Sequence, residues 1–193
     1  MIPNNKITSE YVEGDWLYPN YEEDLLYKHP GGRDLQNLTE AYTYQMWEMY
    51  YENNIIKLKA LTTNKVYELK TVLNVKELSF CFTLNMTVAY LYKVGELVYL
   101  NYYDTVTQKY IEETFMNMNH AKLILDDSRT TQTSSSDVIF FYINNITNKL
   151  CCRLLRDRYT IEYELQTVLK HTRLVRVGMA NNLRLKFKLE QYD

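Results

Sequence analysis

The sequence predicts an all-β protein. Three stretches repeat one pattern of strand, tight turn, strand, tight turn and strand, and a shorter copy follows them. The chain has 19 tyrosines, and aromatic side chains favour the half-buried, pleated surface of a sheet. The repeats occupy residues 42–69, 86–115 and 137–165, and the shorter copy occupies 173–189. We therefore expect three three-stranded antiparallel meanders and a C-terminal hairpin.

Repeated meanders of this kind are typical of propeller blades. A closed propeller takes about four to eight blades. Three blades cannot close one, so two arrangements stay open: an incomplete propeller and a sandwich.

The first 40 residues differ from the rest. They hold all three prolines and many aromatic residues, without a helical or alternating period. We expect an extended N-terminal docking arm over 1–40 and a β-repeat domain over 41–193. The arm docks either on its own domain or on a neighbouring subunit. Its candidate subunit contacts are Trp16, Tyr18, Tyr21 and Tyr27.

Along the repeats, turn residues separate the apolar runs. We predict turns near Asn53-Asn54, Val94-Gly95, Thr147-Asn148 and Asn181-Asn182, because Asn and Gly tolerate positive φ. Two further short strands are predicted between the repeats, although residues 74–84 also fit a simple connection. Residues 35–50 can be drawn as a helix, but their Tyr-rich second half favours a strand. The strands between the repeats are predicted within 74–84 and at 121–127.

Alternation within the strands predicts the core, since residues two apart share one face of a strand. We expect most of the following side chains to be buried: Val88, Tyr90, Leu97, Tyr99, Ile139, Phe141, Leu154, Ile161, Tyr163, Leu183, Leu185 and Phe187.

Charge and hydropathy narrow the class of protein. The net charge is −2 and the pI is near 6.0, which gives no electrostatic signal for nucleic acid. No run reaches the ~18 apolar residues of a membrane span. The start of the chain, MIPNNKITSEY, has no apolar segment, so we expect no signal peptide.

Chemistry-bearing motifs are weak. Cys81, Cys151 and Cys152 make a poor disulfide framework, so we expect reduced thiols in packing sites. Asp126-Asp127 with Asp137 could hold Ca²⁺, but we favour acids that cap turns. The sequence has neither a nucleophile elbow nor a phosphate-binding loop. We expect a non-enzymatic protein without a cofactor.

The densest charged spot lies in the third repeat, around Arg156, Asp157 and Arg158. One interpretation is an ion-paired turn in which Asp157 accepts from an arginine. The other is a subunit contact through Arg156 and Arg158, because the guanidinium fork suits interfaces.

Several segments also carry a resemblance. They are LDDSR at 125–129, SDVIFFYI at 136–143, LCCRLLRDRYTIEYEL at 150–165 and VGMANNLRLKFKL at 177–189, preceded by MTVAYLYKVGELVYLNYYD at 86–104. In order and spacing they resemble structural proteins from the tail or tail tip of tailed bacteriophages, which contain propeller-like β repeats. The vicinal Cys151-Cys152 pair and the scarcity of glycine at turns depart from that pattern.

This resemblance implies a structural subunit of a virion tail, neck or baseplate, assembled in the host cytoplasm. Its partners would be other virion proteins and copies of itself, as a homo-oligomer. The alternative is a host-recognition module, in which exposed aromatic side chains bind a cell-surface glycan.

Overall fold

The structure is a computed structural model. It describes residues 7–9, 47–60, 64–82, 87–104, 106–126, 137–179 and 185–193. The predicted turn at Asn181-Asn182 and the predicted core residue Leu183 lie outside these residues.

The described chain consists of antiparallel strands and one short 3-10 turn, Leu155–Asp157, which confirms the all-β prediction. The first sheet contains β1 (Ile7–Ser9), β2 (Trp47–Glu52), β3 (Ile55–Ala60) and β4 (Lys65–Thr71). The second contains β5 (Val75–Phe82), β6 (Val88–Val94), β7 (Leu97–Asp104) and β8 (Lys109–Met116). The third contains β9 (Met118–Asp126), β10 (Asp137–Asn144), β11 (Lys149–Leu154) and β12 (Tyr163–Thr167). The fourth contains only β13 (Thr172–Met179) and β14 (Leu185–Gln191).

Each predicted meander gains one strand on its N-terminal side, so the first three sheets have four strands in chain order. Of the predicted arm, the structure describes only Ile7–Ser9. These residues form β1, which pairs antiparallel with β2 of the same chain and places Thr8 opposite Tyr50.

Asparagine makes several of the tight turns. Asn53 and Asn54 have φ of 51° and 62°, as the two-residue hairpin between β2 and β3 requires. Gly95 has φ 59° between β6 and β7, and Asn148 has φ 52° between β10 and β11. The three described turn predictions are therefore confirmed, and asparagine occupies left-handed positions where glycine is usual.

The four sheets pack face to face in series, and the first strands β1, β5, β9 and β13 contact one another in that order. Within the described residues, no comparably strong contact joins the fourth sheet back to the first. The arrangement resembles successive propeller blades. Rings meet at two of these interfaces: Phe115 of β8 packs on Phe140, and Phe187 of β14 packs on Phe141, at centroid distances of 5.3 and 4.9 Å.

The contact between β5 and β9 uses side chains as well as packing. The backbone N–H groups of Ala121 and Leu123 donate to Glu77 Oε2 at 3.3 Å and Ser79 Oγ at 3.0 Å. Lys93 lies buried nearby and donates to the Met118 carbonyl oxygen at 2.9 Å. These bonds satisfy polar groups at a junction that would otherwise leave strand edges buried without partners.

Series packing buries both faces of the central strands. In β10, all six side chains from Val138 to Ile143 are buried, and β6 shows the same from Ala89 to Lys93. Successive residues Phe140 and Phe141 contact opposite neighbouring sheets. The sequence prediction, which assumed one buried face per strand, therefore named only three of these eleven residues: Tyr90, Ile139 and Phe141.

The predicted core is otherwise partly confirmed. Tyr90, Ile139, Phe141 and Leu154 are buried. Ile161 was predicted to be buried, which is wrong, because it is 48% exposed just before the outer strand β12. The half-buried members are Val88, Leu97, Tyr99, Tyr163 and Phe187, and the side chain of Leu185 lies outside the described set.

Candidate interaction surface

The outer strands β4, β8 and β12 form the accessible side of the molecule. Each is the last strand of its sheet, so within the described residues one of its edges has no neighbouring strand. Their side chains are mostly exposed or half-buried, in contrast to those of β6 and β10. A free edge presents N–H and C=O groups on which another polypeptide can add as a strand.

Large apolar side chains remain exposed on these strands and their flanking turns. Single exposed apolar residues are ordinary on protein surfaces, but their concentration on free-edged strands is typical of interaction sites. They are Val66, Tyr67, Val106, Tyr110, Met116, Ile161, Leu165 and Leu169.

A polar cluster joins the first two sheets behind this surface. Glu112 Oε2 accepts hydrogen bonds from Lys70 Nζ, from the Tyr92 hydroxyl at 2.9 Å and from Asn101 Nδ2 at 3.0 Å. Burial tends to raise the pKa of Glu112, but these donors outweigh it and lower the pKa below its usual range. Burial and the bond to Glu112 raise the pKa of the Tyr92 hydroxyl. The cluster therefore keeps a carboxylate and a neutral phenol together.

The third sheet repeats this cluster. The Tyr142 hydroxyl donates to Glu162 Oε2, and Arg153 Nε donates to the Tyr142 oxygen at 3.0 Å. The tyrosine and glutamate are 20 residues apart in both sheets. Arg153 takes the place of Asn101. Tyr92 pairs with Tyr99 and Tyr142 pairs with Cys151, and Asn101 and Arg153 each lie two residues after that partner. Sequence reasoning missed this motif, although the repeated Ile-Glu dipeptides at 111–112 and 161–162 signal it.

Arg158 joins the second and third sheets. Its Nη2 lies 3.5 Å from Asp104 Oδ2, whose carboxylate also accepts from Thr107 Oγ1 at 2.7 Å. The Thr107 hydrogen bond, opposed by burial and helped by backbone N–H groups and Arg158, lowers the pKa of Asp104. Arg158 itself is in the left-handed region, with φ 49°. Sequence spacing alone could not identify Asp104 as its partner.

In the arginine-rich turn, Arg158 therefore forms an ion pair with Asp104. Asp157 Oδ2 accepts a hydrogen bond from the Tyr163 hydroxyl at 2.8 Å. Arg156 is exposed, and the side chain of Arg158 is 56% exposed, so both remain candidates for a subunit contact. The other predicted contacts, Trp16, Tyr18, Tyr21 and Tyr27, lie outside the described residues.

The three cysteines are free and buried, as predicted. Burial raises the pKa of Cys151 and Cys152 to about 11 and that of Cys81 further, so the thiols are protonated near neutral pH. No group of metal-ligating side chains occurs within the described part of the chain. The backbone places Asp126 opposite Asp137, but the side chains of Asp126, Asp127 and Asp137, for which turn capping was favoured over Ca²⁺ binding, are outside the described set.

A groove of about 200 Å³ lies where the third and fourth sheets meet. One wall is the end of β12 and the following residues, including Gln166 and Leu169. The other is β14, with Leu189 and Gln191. Leu169 is 69% exposed, so the groove opens onto the apolar surface of the outer strands.

Comparison with known proteins adds no relationship: no protein-family model, curated protein or solved structure matches the chain. The similarity to phage tail proteins thus stays a prediction from the sequence. Within the described residues, no helix is long and apolar enough to span a bilayer.

Proposed function

We propose that the chain is a non-enzymatic structural subunit of a bacteriophage virion, incorporated through contacts made by its outer strands. The observation that carries the assembly role is the set of exposed apolar side chains on strands whose edges have no described neighbour. Such strands can bind a partner through both backbone hydrogen bonds and apolar contacts. The sequence resemblance supplies the narrower assignment to a tail, neck or baseplate.

The packing and hydrogen bonding of the protein support a structural role. Aromatic rings join successive sheets, and each tyrosine–glutamate cluster is satisfied by donors from its surroundings. Polar side chains that are held by several hydrogen bonds favour one rigid arrangement. A rigid subunit is what a repetitive protein shell or tube needs.

The host-recognition alternative needs exposed aromatic side chains around a shared shallow pocket. The exposed tyrosines within the described residues are Tyr67, Tyr110 and Tyr192. They lie on β4, on β8 and directly after β14, so they belong to three different sheets. The groove beside β14 has no aromatic side chain in its lining. The described surface therefore favours assembly over glycan binding.

Two measurements test the proposal. Mass spectrometry of purified particles of the encoding phage should detect the chain in a fixed ratio to other virion proteins. In the same phage, Leu165→Asp should reduce its incorporation, because it places a charge on an exposed apolar site. Leu73→Asp, at an exposed apolar position in the turn between β4 and β5, is the matched control. Absence of the chain from particles would overturn the virion assignment.

A further inference from the structure

The fourth sheet is half the width of the others. Each of the first three has four strands, whereas the fourth ends at β14 within the described residues. On the facing outer strand β12 and its flanks, the side chains of Ile161, Leu165 and Leu169 are exposed. The groove lies between β12 and β14. The regular series thus leaves room for additional extended chain beside β14.

A second copy cannot fill this space by pairing its β14 with the first. If two β14 strands paired antiparallel, a two-fold axis perpendicular to the sheet would relate the two hairpins. The same face of each hairpin would then point to the same side of the joined sheet. That face packs on the chain's own third sheet through Phe187 and Phe141. Two third sheets would then compete for the same volume. The occupant is therefore a segment other than β14.

The charges of the chain identify such a segment. Residues 166–193, which include the fourth sheet, carry six basic and two acidic residues, a net charge of +4. Residues 10–46 carry two basic and eight acidic residues, a net charge of −6, among many aromatic and apolar side chains. The intervening residues 47–165 are close to neutral, at −1. The two ends of the chain are therefore complementary in charge, and the acidic end also has the apolar residues that the groove needs.

We infer that the groove and the free edge of β14 bind residues 10–46 of a neighbouring copy of this chain. This inference rests on the proposed assembly function and names the contact that joins the copies. Both ends of the segment, Ser9 and Trp47, belong to the first sheet. The fourth sheet lies at the other end of the described series, so exchange between copies connects the two ends of successive molecules.

The segment is long enough for this contact. It has 37 residues, and an extended chain spans up to ~3.3 Å per residue, so it can reach roughly 60 Å out and return. Its acidic side chains would lie near Lys188 and Arg173, which are 54% and 51% exposed. Both cations also pair with Glu190, at 2.8 and 2.9 Å, so the acidic segment would share them with Glu190. Repetition of the contact links copies head to tail, as a heterologous interface does.

Cross-linking of mixed copies tests the inference. The full-length protein is prepared in ¹⁴N and ¹⁵N forms, mixed, and treated with an amine-reactive cross-linker. Residues 10–46 contain one lysine, Lys28. We expect Lys28 to cross-link to Lys170 or Lys188 in peptides that join light and heavy copies, and not to Lys109 on β8. Because the contact is partly electrostatic, about 1 M salt should reduce these products several-fold.

A pair of variants provides the control. Leu169→Asp, in the groove, should abolish the mixed cross-links, while Leu73→Asp, which is similarly exposed in the turn between β4 and β5, should leave them unchanged. Cross-links from Lys28 to Lys170 or Lys188 within one copy only would overturn the exchange between copies. Self-association without any such cross-link would overturn the docking site but leave the assembly role in place. Failure of the assembly role itself appears separately, as absence of the chain from particles.

Discussion

The central and outer strands of one sheet differ more than neighbouring sheets do. Every side chain from Val138 to Ile143 in β10 is buried, whereas four of the five residues of β12, in the same sheet, are exposed. The central strands of the second and third sheets have a sheet on each face, and the outer strands have solvent on at least one. Stability should therefore reside in the central strands, which leaves the outer strands free to bind partners without loss of the fold.

The largest expected effect is on the central strands. Phe140 is fully buried and contacts the rings of Phe115, Tyr142 and Tyr159. Phe140→Ala should lower the free energy of unfolding by about 3–5 kcal/mol, because it leaves a cavity between two sheets. Met116→Ala on β8 should change it by less than about 0.5 kcal/mol. Denaturant titration measures both, and equal costs would remove the distinction between the two kinds of strand.

A smaller effect is expected at the polar cluster that connects outer to central strands. Glu112→Gln should cost about 1–3 kcal/mol, because Lys70 and Tyr92 lose a charged acceptor. Glu164→Gln, on exposed β12, is the matched control and should cost at most about 1 kcal/mol.

The same cluster predicts a pH dependence. The pKa of Glu112 is lower in the folded state than in the unfolded chain, so the unfolded state binds the proton first as pH falls. Its stabilising contribution is complete above the unfolded pKa of about 4.3 and is lost as pH falls through the folded value. The stability difference between wild type and Glu112→Gln should shrink between about pH 5 and pH 3. A difference independent of pH would show that the carboxylate charge contributes nothing.

The last comparison concerns two isoleucines that the sequence does not distinguish. Ile139→Ala should cost about 2–5 kcal/mol, since Ile139 is only 4% exposed in β10. Ile161→Ala should cost less than about 1 kcal/mol, since Ile161 is 48% exposed. Thermal or denaturant unfolding of the two variants provides the check. A cost above about 2 kcal/mol at Ile161 would place it in the core that the sequence predicted.

These cases show what the sequence could and could not predict. Strand periodicity located the meanders, and the conformational preferences of asparagine and glycine located three turns, because both act locally. The first strands β5 and β9 were harder to assign to the repeats. Polar residues such as Glu77 and Ser79 interrupt the apolar pattern, and only the fold shows that they bond the edge of the next sheet.

Burial on both faces was equally hidden, because it depends on how sheets stack. Tyr142 and Glu162 are 20 residues apart, and their contact follows from the meander geometry of the third sheet. Asp104 could not be matched to Arg158 by spacing, since the pair crosses between sheets. The free outer strands were likewise visible only once the order of strands was known.

Hydrogen exchange of the full-length protein, measured both as the isolated chain and within assembled particles, tests the central claim most directly. In the isolated chain, we expect amides of β6 and β10 to exchange only through global unfolding, while the outer edges of β8 and β12 exchange by local opening. In particles, the outer strands should gain protection and the central strands should change little. Outer strands as protected as β10 in the isolated chain, or unchanged on assembly, would contradict the account.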